Sequence, residues 1–259
     1  MTISTPNTSE NPDRAARARR RGRGPELALV EEVPVWLEVN GTPTVTWMCT
    51  PEMLEELAVG WLHGEGYIAT REDLLALRPC ASDLGFRADV RPDRVAAVQA
   101  EHRTPVLASG CGAVSVMLAD PATAPRSAER GPVPLPDDLR RQFKELFAAG
   151  ARYQETGGIH AAALSDGTAI RAHAEDIGRH NAVDKVIGAA LLRDLPLPGR
   201  GLLVTGRISA ELAFKAARAG LVWIATPSVP STLASTIARR TGMTLVGRAV
   251  SGTPQVHQP

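Results

Sequence analysis

An α/β fold, α+β taken over the whole chain, is what this sequence predicts: a mixed sheet with flanking helices, preceded by a smaller N-terminal domain. Three observations predict it. From Asp137 onward, apolar runs of strand length alternate with amphipathic stretches of helix length, as in LLVTG, SAELAFKAARAG, LVWIATP, STLASTIARRTG and MTLVGRAV. Gly or Pro punctuates the switches between them. The region before that has another rhythm, in which the turn signal Asn40-Gly41 separates two short alternating runs, as in a hairpin.

Taken in order, residues 1–26 are expected to form a disordered tail. Arg14, Arg17, Arg19, Arg20, Arg21 and Arg23 crowd a stretch rich in Pro, Gly, Asn and Ser, which carries too little apolar surface to offset the entropy of ordering. Contact with a polyanion is the alternative use of such a run. The N-terminal domain, 27–134, opens with strand material from Ala28 to Val39 and a return strand from Thr44 to Met48. Thr50-Pro51-Glu52 then reads as a helix start, with Thr50 as cap and Pro51 in the first turn. Met53, Leu54, Leu57, Ala58, Trp61 and Leu62 give that helix one apolar stripe, and Gly64 or Gly66 stops it. Phe86 to Val90 and Arg94 to Gln99 read as strands, and the glycine-rich turn SGCGAVS follows. Ala119 to Pro136 is a loop rich in Pro, Ala and charge.

The C-terminal domain, 135–259, begins with the helix DDLRRQFKELFAAG, with Leu139, Phe143, Leu146 and Phe147 on one side and Gly150 as its stop. GIHAAALS and AIRAHAED read as extended segments around the turn DGT, and NAVDKVIGAALL as an amphipathic helix ahead of the strand–helix alternation. Apolar strands between helices call for a parallel or mixed sheet covered on both faces.

Composition narrows the function. The 259 residues can bury a sizeable core without staples, and with aromatics at 4% that core must be filled mainly by Ala, Val, Leu and Ile. A net charge of +1 speaks against a surface built wholly to trap nucleic acid. No apolar run approaches a membrane span, and no signal-peptide pattern follows the basic stretch, so a cytoplasmic location is expected. Three cysteines, Cys49, Cys80 and Cys111, with no close pair, speak against a disulfide scaffold or a zinc knuckle and leave individual reactivity as their interest.

Four constellations can carry chemistry. Cys111 sits between Gly110 and Gly112, where backbone N–H groups can approach a thiolate and lower its pKa; a buried inert thiol is the alternative. ETGGIH places Gly157 and Gly158 before His160, either an anion-binding concavity with a proton-transfer group or a histidine satisfied in the core. EDIGRHNAVDKVIG packs Asp176, Arg179, His180, Asn181, Asp184 and Lys185 at one helix start, with Asn181 as cap and Arg179 as an anion contact; Asp184 and Lys185 can equally be a solvated face. TGRISAEL turns out of a buried strand and places Arg207 at the sheet's carboxyl edge, where open α/β sheets bind ligands. Neither GxxxxGK[ST] nor GxGxxG is present. Together these suggest a phosphorylated, planar ligand near a reactive thiol.

The blocks TPEMLEELAVGWLHGEGYI, SGCGAVS, ETGGIHAAAL, EDIGRHNAVDKVIG and TGRISAELAFKAARAG, in this order, resemble the formate dehydrogenase accessory sulfurtransferase (FdhD) family. The resemblance implies a C-terminal part with a cytidine deaminase-like fold, and a sulfur carrier acting as a homodimer. Such a carrier takes persulfide sulfur from a cysteine desulfurase and passes it to the molybdenum cofactor in bis-guanine-dinucleotide form, for a formate dehydrogenase or related molybdoenzyme. It binds GDP-like nucleotides and keeps no permanent metal of its own. Cys111 falls on the family's first loop cysteine, the persulfide carrier, while Val114 stands where the family's second cysteine is common. Arg248, Ala249, Val250, Ser251, Gly252 and Thr253 match the family's cofactor-contacting stretch. Arg179, His180 and Arg207 are expected to contact the nucleotide part, with His160 behind them.

Other readings have identifiable signatures. A deaminase draws on His173-Ala174-Glu175, but no P-C-x-x-C follows to complete a zinc site. A non-catalytic chaperone for cofactor or apoenzyme would leave Cys111 unreactive. A nucleic-acid-binding protein would rest on the arginine tail alone.

Overall fold

The computed structural model describes residues 29–101, 106–107, 114–115 and 132–258, and its elements fall into two units. The first is a four-stranded sheet of order β2-β1-β4-β3, built from β1 (Val33–Val39), β2 (Thr42–Cys49), β3 (Leu74–Pro79) and β4 (Gly85–Val90). Asn40 and Gly41 turn β1 back into antiparallel β2, both at positive φ as the tight hairpin demands. Strand alternation sends Val35, Leu37 and Val39 inward with Phe86, Ala88 and Val90, against α1 (Leu54–Gly64), which supplies Leu57, Ala58, Trp61 and Leu62. Helix α2 (Pro92–Ala100) follows β4, and a short antiparallel pair, β5 (Val106–Leu107) with β6 (Val114–Ser115), follows it.

The second unit is a six-stranded mixed sheet of order β12-β11-β10-β9-β7-β8. Its members are β7 (His160–Ser165), β8 (Ile170–Asp176), β9 (Gly201–Val204), β10 (Trp223–Ala225), β11 (Thr244–Gly247) and β12 (Gln255–His257). β9, β10 and β11 run parallel; β7 is antiparallel to both β8 and β9. Helices α5 (Arg179–Leu192), α6 (Ala210–Arg218) and α7 (Thr232–Thr241) cover one face, packing on Ala162, Leu164, Leu202, Val204, Ile224 and Leu245. Helix α3 (Pro136–Ala149) covers the other with Leu139, Phe143 and Leu146 against Ala161, Ala163, Leu203 and Trp223, and the short α4 (Ala151–Thr156) follows it. The expected sheet with helices on both faces is therefore present.

The units meet where α1 crosses α5. A Cβ on Gly60 would lie 1.8 Å from the carbonyl oxygen of Asp184, and one on Gly188 would lie 1.8 Å from that of Glu56. The crossing is thus closed by two glycines that let backbone touch backbone. It buries α5 on nearly every side, from the sheet and from α1. Beside it lies a charge junction sealed from water. Lys185 Nζ is 2.6 Å from Asp176 Oδ2, and both side chains are 0% exposed. Asp176 also accepts from Thr50 N, Thr50 Oγ1, Gly178 N and Asn181 Nδ2, while Lys185 donates to Thr50 O, Thr50 Oγ1 and Glu175 O. Every strong donor and acceptor of the pair is used, which makes burial of two charges tolerable.

Four expectations are corrected. Thr50 caps no helix, because Asp176 and Lys185 claim it across the unit boundary; α1 starts at Leu54 behind Met53, in the left-handed region at φ 54°. Arg94 to Gln99 is helical, inside α2, with Pro92 in its first turn. Asn181 does not cap α5; its amide donates to Met48 O and Asp176 Oδ1. Asp184 and Lys185 are no solvated face, at 1% and 0% exposure. Strands β3 and β12 and helix α4 lie in segments to which the sequence assigned no element. The arginine tail, 1–26, and the Cys111 loop lie outside the described residues.

Candidate functional site at the carboxyl edge of the six-stranded sheet

Strand direction decides which residues meet. β9, β10 and β11 end at Val204, Ala225 and Gly247 on one edge; because β7 is antiparallel to β9, His160 at its start lies there too, paired with Asp176 at the end of β8. The turns leaving this edge are laced together. Thr226 Oγ1 donates to Gly206 O at 2.7 Å, Ile208 N to Val229 O at 3.2 Å, Arg248 N to Ser228 O at 2.8 Å, and Ala249 N to Thr226 O at 2.9 Å. Helices α5, α6 and α7 all begin here, the last two capped by Ser209 and Ser231. Their N-terminal ends direct three positive dipoles at one place.

Of the expected site residues, His160, Arg179, His180, Arg207 and the segment Arg248 to Thr253 therefore come to one edge. A Cβ on Gly206 would stand 3.2 Å from Arg179 Cδ and 3.3 Å from His160 Nδ1, so the glycine leaves room for both side chains against the turn. Arg207 and Arg248 are exposed, and Arg248 holds φ 52°, a strained setting for a residue with a side chain. Val250, Ser251, Gly252 and Thr253 are exposed beyond it, with Gly252 O accepting from Arg140 of α3. Ala249 is a core residue at 0% exposure, so its side chain faces the α3 side and not a ligand. His160 is half-buried, and burial together with the Arg179 charge pushes its pKa below the usual histidine value, leaving a neutral imidazole.

Behind the edge lies a second cluster that the sequence reading did not assemble. His180, 2% exposed, brings Nε2 to 3.1 Å from Ser209 Oγ and 3.2 Å from Glu211 Oε2. Lys215 Nζ lies 2.6 Å from Asp184 Oδ2 and 3.9 Å from Glu211 Oε1. Burial, then the charges of Lys215 and Arg179, lower the His180 pKa to about 2. Burial raises that of Glu211 to about 7 despite Lys215. Lys215 stays charged: burial opposes this, but Asp184 and Glu211 outweigh it. The available signal was spacing, since Ser209, Glu211 and Lys215 belong to one short helix and its cap, with acid and base at i and i+4.

The cysteines separate. Cys49 is 0% exposed, and burial, reinforced by Asp176, pushes its thiol up to about 12, so it is not a nucleophile at neutral pH. Cys80 is half-buried with Sγ 3.4 Å from Ser82 Oγ. Cys111 lies outside the described residues, in the 108–113 connection between the paired strands β5 and β6. Glu175, the acid of the deaminase alternative, caps α4, accepting from Arg152 N at 3.0 Å and Tyr153 N at 2.9 Å. Among the described residues no group of three or more His, Cys, Asp or Glu side chains could hold a metal ion, and no helix is long and apolar enough to cross a membrane.

Comparison with known proteins fits this architecture. The sulfur carrier protein FdhD of Staphylococcus haemolyticus (strain JCSC1435) is 36% identical over 222 residues, covering 85% of this chain and 83% of that protein. The protein of the same name from Staphylococcus aureus (strain MRSA252) is 37% identical over 220 residues, covering 84% and 82%. Among solved structures, a protein from Desulfotalea psychrophila described as a formate dehydrogenase accessory protein superposes with a TM-score of 0.68 at 23% identity, covering 88% of this chain and 87% of that one, a likeness of fold. The FdhD/NarQ family model matches residues 30–258, both sheet units included, and the chain belongs to that family.

Proposed function

We propose that this protein is a sulfur carrier that moves persulfide sulfur from a cysteine desulfurase to the molybdenum cofactor in bis-guanine-dinucleotide form, which a formate dehydrogenase or related molybdoenzyme requires for activity. The Cys111 thiolate attacks the outer sulfur of the desulfurase persulfide; that S–S bond breaks, the desulfurase thiolate leaves, and Cys111 carries the sulfane sulfur. The S–S bond on Cys111 then breaks, the Cys111 thiolate leaves, and the outer sulfur is delivered to the molybdenum of the cofactor, which is cargo and not a resident group. The two electrons that take sulfane sulfur to sulfide come from that cofactor in its reduced state. One thiol suffices for this carriage, so Val114 in the second position does not block it. We read 27–134 as the domain that presents Cys111 and 135–259 as a cytidine deaminase-like domain that holds the nucleotide. The active form is a homodimer in the cytoplasm.

The observation that carries the reading is the convergence of three helix N-termini with Arg207 and Arg248 on one sheet edge, which suits the phosphates of a GDP-like ligand. The curated relatives' name supports the sulfur-carrying part. The test pairs two measurements. Cys111→Ser should abolish cyanide-labile sulfur after incubation with a desulfurase and cysteine, whereas Cys49→Ser should retain it. Arg207→Ala and Arg248→Ala should each weaken GDP binding roughly 10- to 100-fold, the value of a charge-assisted bond, with sulfur loading intact. Full loading of Cys111→Ser would sink the carrier mechanism, and unchanged GDP affinity in both arginine variants would place the nucleotide elsewhere.

A further inference from the structure

We infer that His180 and Glu211 share one buried proton, and that its position sets the tautomer of His180 and thereby orients the Ser209 hydroxyl at the head of α6. Geometry requires a choice. Nε2 of His180 is hydrogen-bonded to Ser209 Oγ at 3.1 Å and stands 3.2 Å from Glu211 Oε2, while Glu211 Oε2 and His180 Nδ1 are both buried with no hydrogen-bond partner among the described residues. A neutral imidazole carries hydrogen on one nitrogen only. In one state the Glu211 carboxyl donates to bare Nε2 and the ring hydrogen is on Nδ1. In the other, Nε2 carries the hydrogen and donates to Ser209 Oγ, with the Glu211 carboxylate beside it and Nδ1 bare. Passing from the first to the second moves the carboxyl hydrogen to Nε2 and releases the Nδ1 hydrogen to solvent, a net loss of one proton with the ring neutral throughout.

The groups around the pair favour an exchange near neutrality over protonation of the ring. Arg179 and Asp184 on α5, Lys215 on α6 and Glu65 just beyond α1 act on Glu211; Lys215, Arg179 and His160 act on His180, all three against a charged ring. Burial raises Glu211 into the neutral range and holds His180 far below it, so the single titration belongs to the pair. In the deprotonated state both lone pairs of Ser209 Oγ are engaged, by His180 Nε2–H and by Leu212 N–H, which donates to it at 3.4 Å. The hydroxyl hydrogen then points away from both, offered at the helix head to an incoming oxygen. His180 and Glu211 are positioning residues in this arrangement, and only the use of that hydrogen rests on the ligand reading of the edge.

Nitrogen-15 NMR of the full-length protein labelled at its six histidines, without ligand, tests the pair from pH 5.5 to 8.5. The His180 ring, identified by its proximity to Ser209, should change from the Nδ1–H to the Nε2–H pattern with a midpoint near 7 and without passing through imidazolium. Glu211→Gln should hold one pattern across the range. Should that variant fail to fold, Glu211→Asp should keep the transition with a shifted midpoint. A single tautomer throughout, an imidazolium signal, or a transition that survives unshifted in the folded variants would overturn the inference. Because no nucleotide is present, a failure of GDP to bind would break the reading of the edge and leave this one standing.

Discussion

Two charged clusters flank the same helix and are finished differently. The Asp176–Lys185–Thr50 junction fills every donor and acceptor it buries, whereas the His180–Ser209–Glu211 cluster, a turn or so away on α5, leaves His180 Nδ1 without a partner among the described residues and crowds two groups onto Nε2. The first sits at the seam between the two units and has one arrangement. The second sits behind the sheet edge and has two. A motif dense in polar residues thus divides into a part that fixes the fold and a part that stays adjustable, and satisfaction of hydrogen bonds tells them apart better than burial does.

The largest expected effect tests the finished cluster. Lys185→Met leaves the Asp176 carboxylate buried without its cation and should cost about 3–5 kcal/mol in denaturant unfolding. Replacing both partners, Asp176→Asn with Lys185→Met, should cost clearly less than the single change. If the double variant were the less stable one, the junction would owe its stability to more than mutual neutralisation.

The next effect compares pH behaviour. His63, buried beside Arg218 and Arg94, has its pKa lowered to about 4, by burial first and those cations second. Between its unfolded value near 6.5 and 4 the unfolded chain binds the extra proton, so this residue's contribution to stability is complete above 6.5 and is lost as pH falls. Relative to His63→Gln, the natural protein should lose about 2–3 kcal/mol between pH 7.5 and 4.5. Glu211 acts with the opposite sign: its raised pKa gives stability that is present at low pH and lost as pH rises from 4.5 through about 7. A Glu211→Gln protein should therefore have the steeper acid loss. Equal slopes in both variants would show that neither buried group differs in protonation between folded and unfolded chains.

Gly188→Ala should destabilise by about 1–3 kcal/mol, since the added carbon meets the Glu56 carbonyl and the helices must separate. The separation also moves α5 against α1, so a folded Gly188→Ala protein should show altered His180 ring signals. Unchanged signals would mean that the crossing and the adjustable cluster are mechanically independent.

How much of this was legible follows the range of the interactions. The strand–helix alternation from β9 to β11 was readable because each element announces itself within a few residues, by an apolar run and a Gly or Pro. Helix α2 was missed because nine residues carry one buried side chain, Val98, and give too little periodicity to outweigh a strand reading; Pro92 in the first turn was the overlooked local mark. Thr50 looked like a cap because nothing local reveals that its partners lie more than a hundred positions away. His160, Arg179 and Arg207 were expected together as polar turns around a nucleotide, and Arg248 through the family resemblance, but the geometry that joins them was not readable. The antiparallel placement of β7 puts His160 on the same edge, and that is a fact of topology.

The smallest expected effect is the control on the whole comparison. Arg78 and Asp89 pair at 2.5 Å across β3 and β4, a distance as short as that of the buried pairs, with side chains 61% and 44% exposed. Water already solvates both ions there, and holding two long side chains in register costs entropy that offsets much of the attraction. Arg78→Ala should therefore change stability by about 0–1 kcal/mol, and the change should shrink further at high salt. The short distance alone would forecast an effect equal to that of Lys185→Met. Should Arg78→Ala cost several kcal/mol at moderate ionic strength, distance would govern these pairs, and the division of α5 into a finished and an adjustable cluster would lose its physical basis.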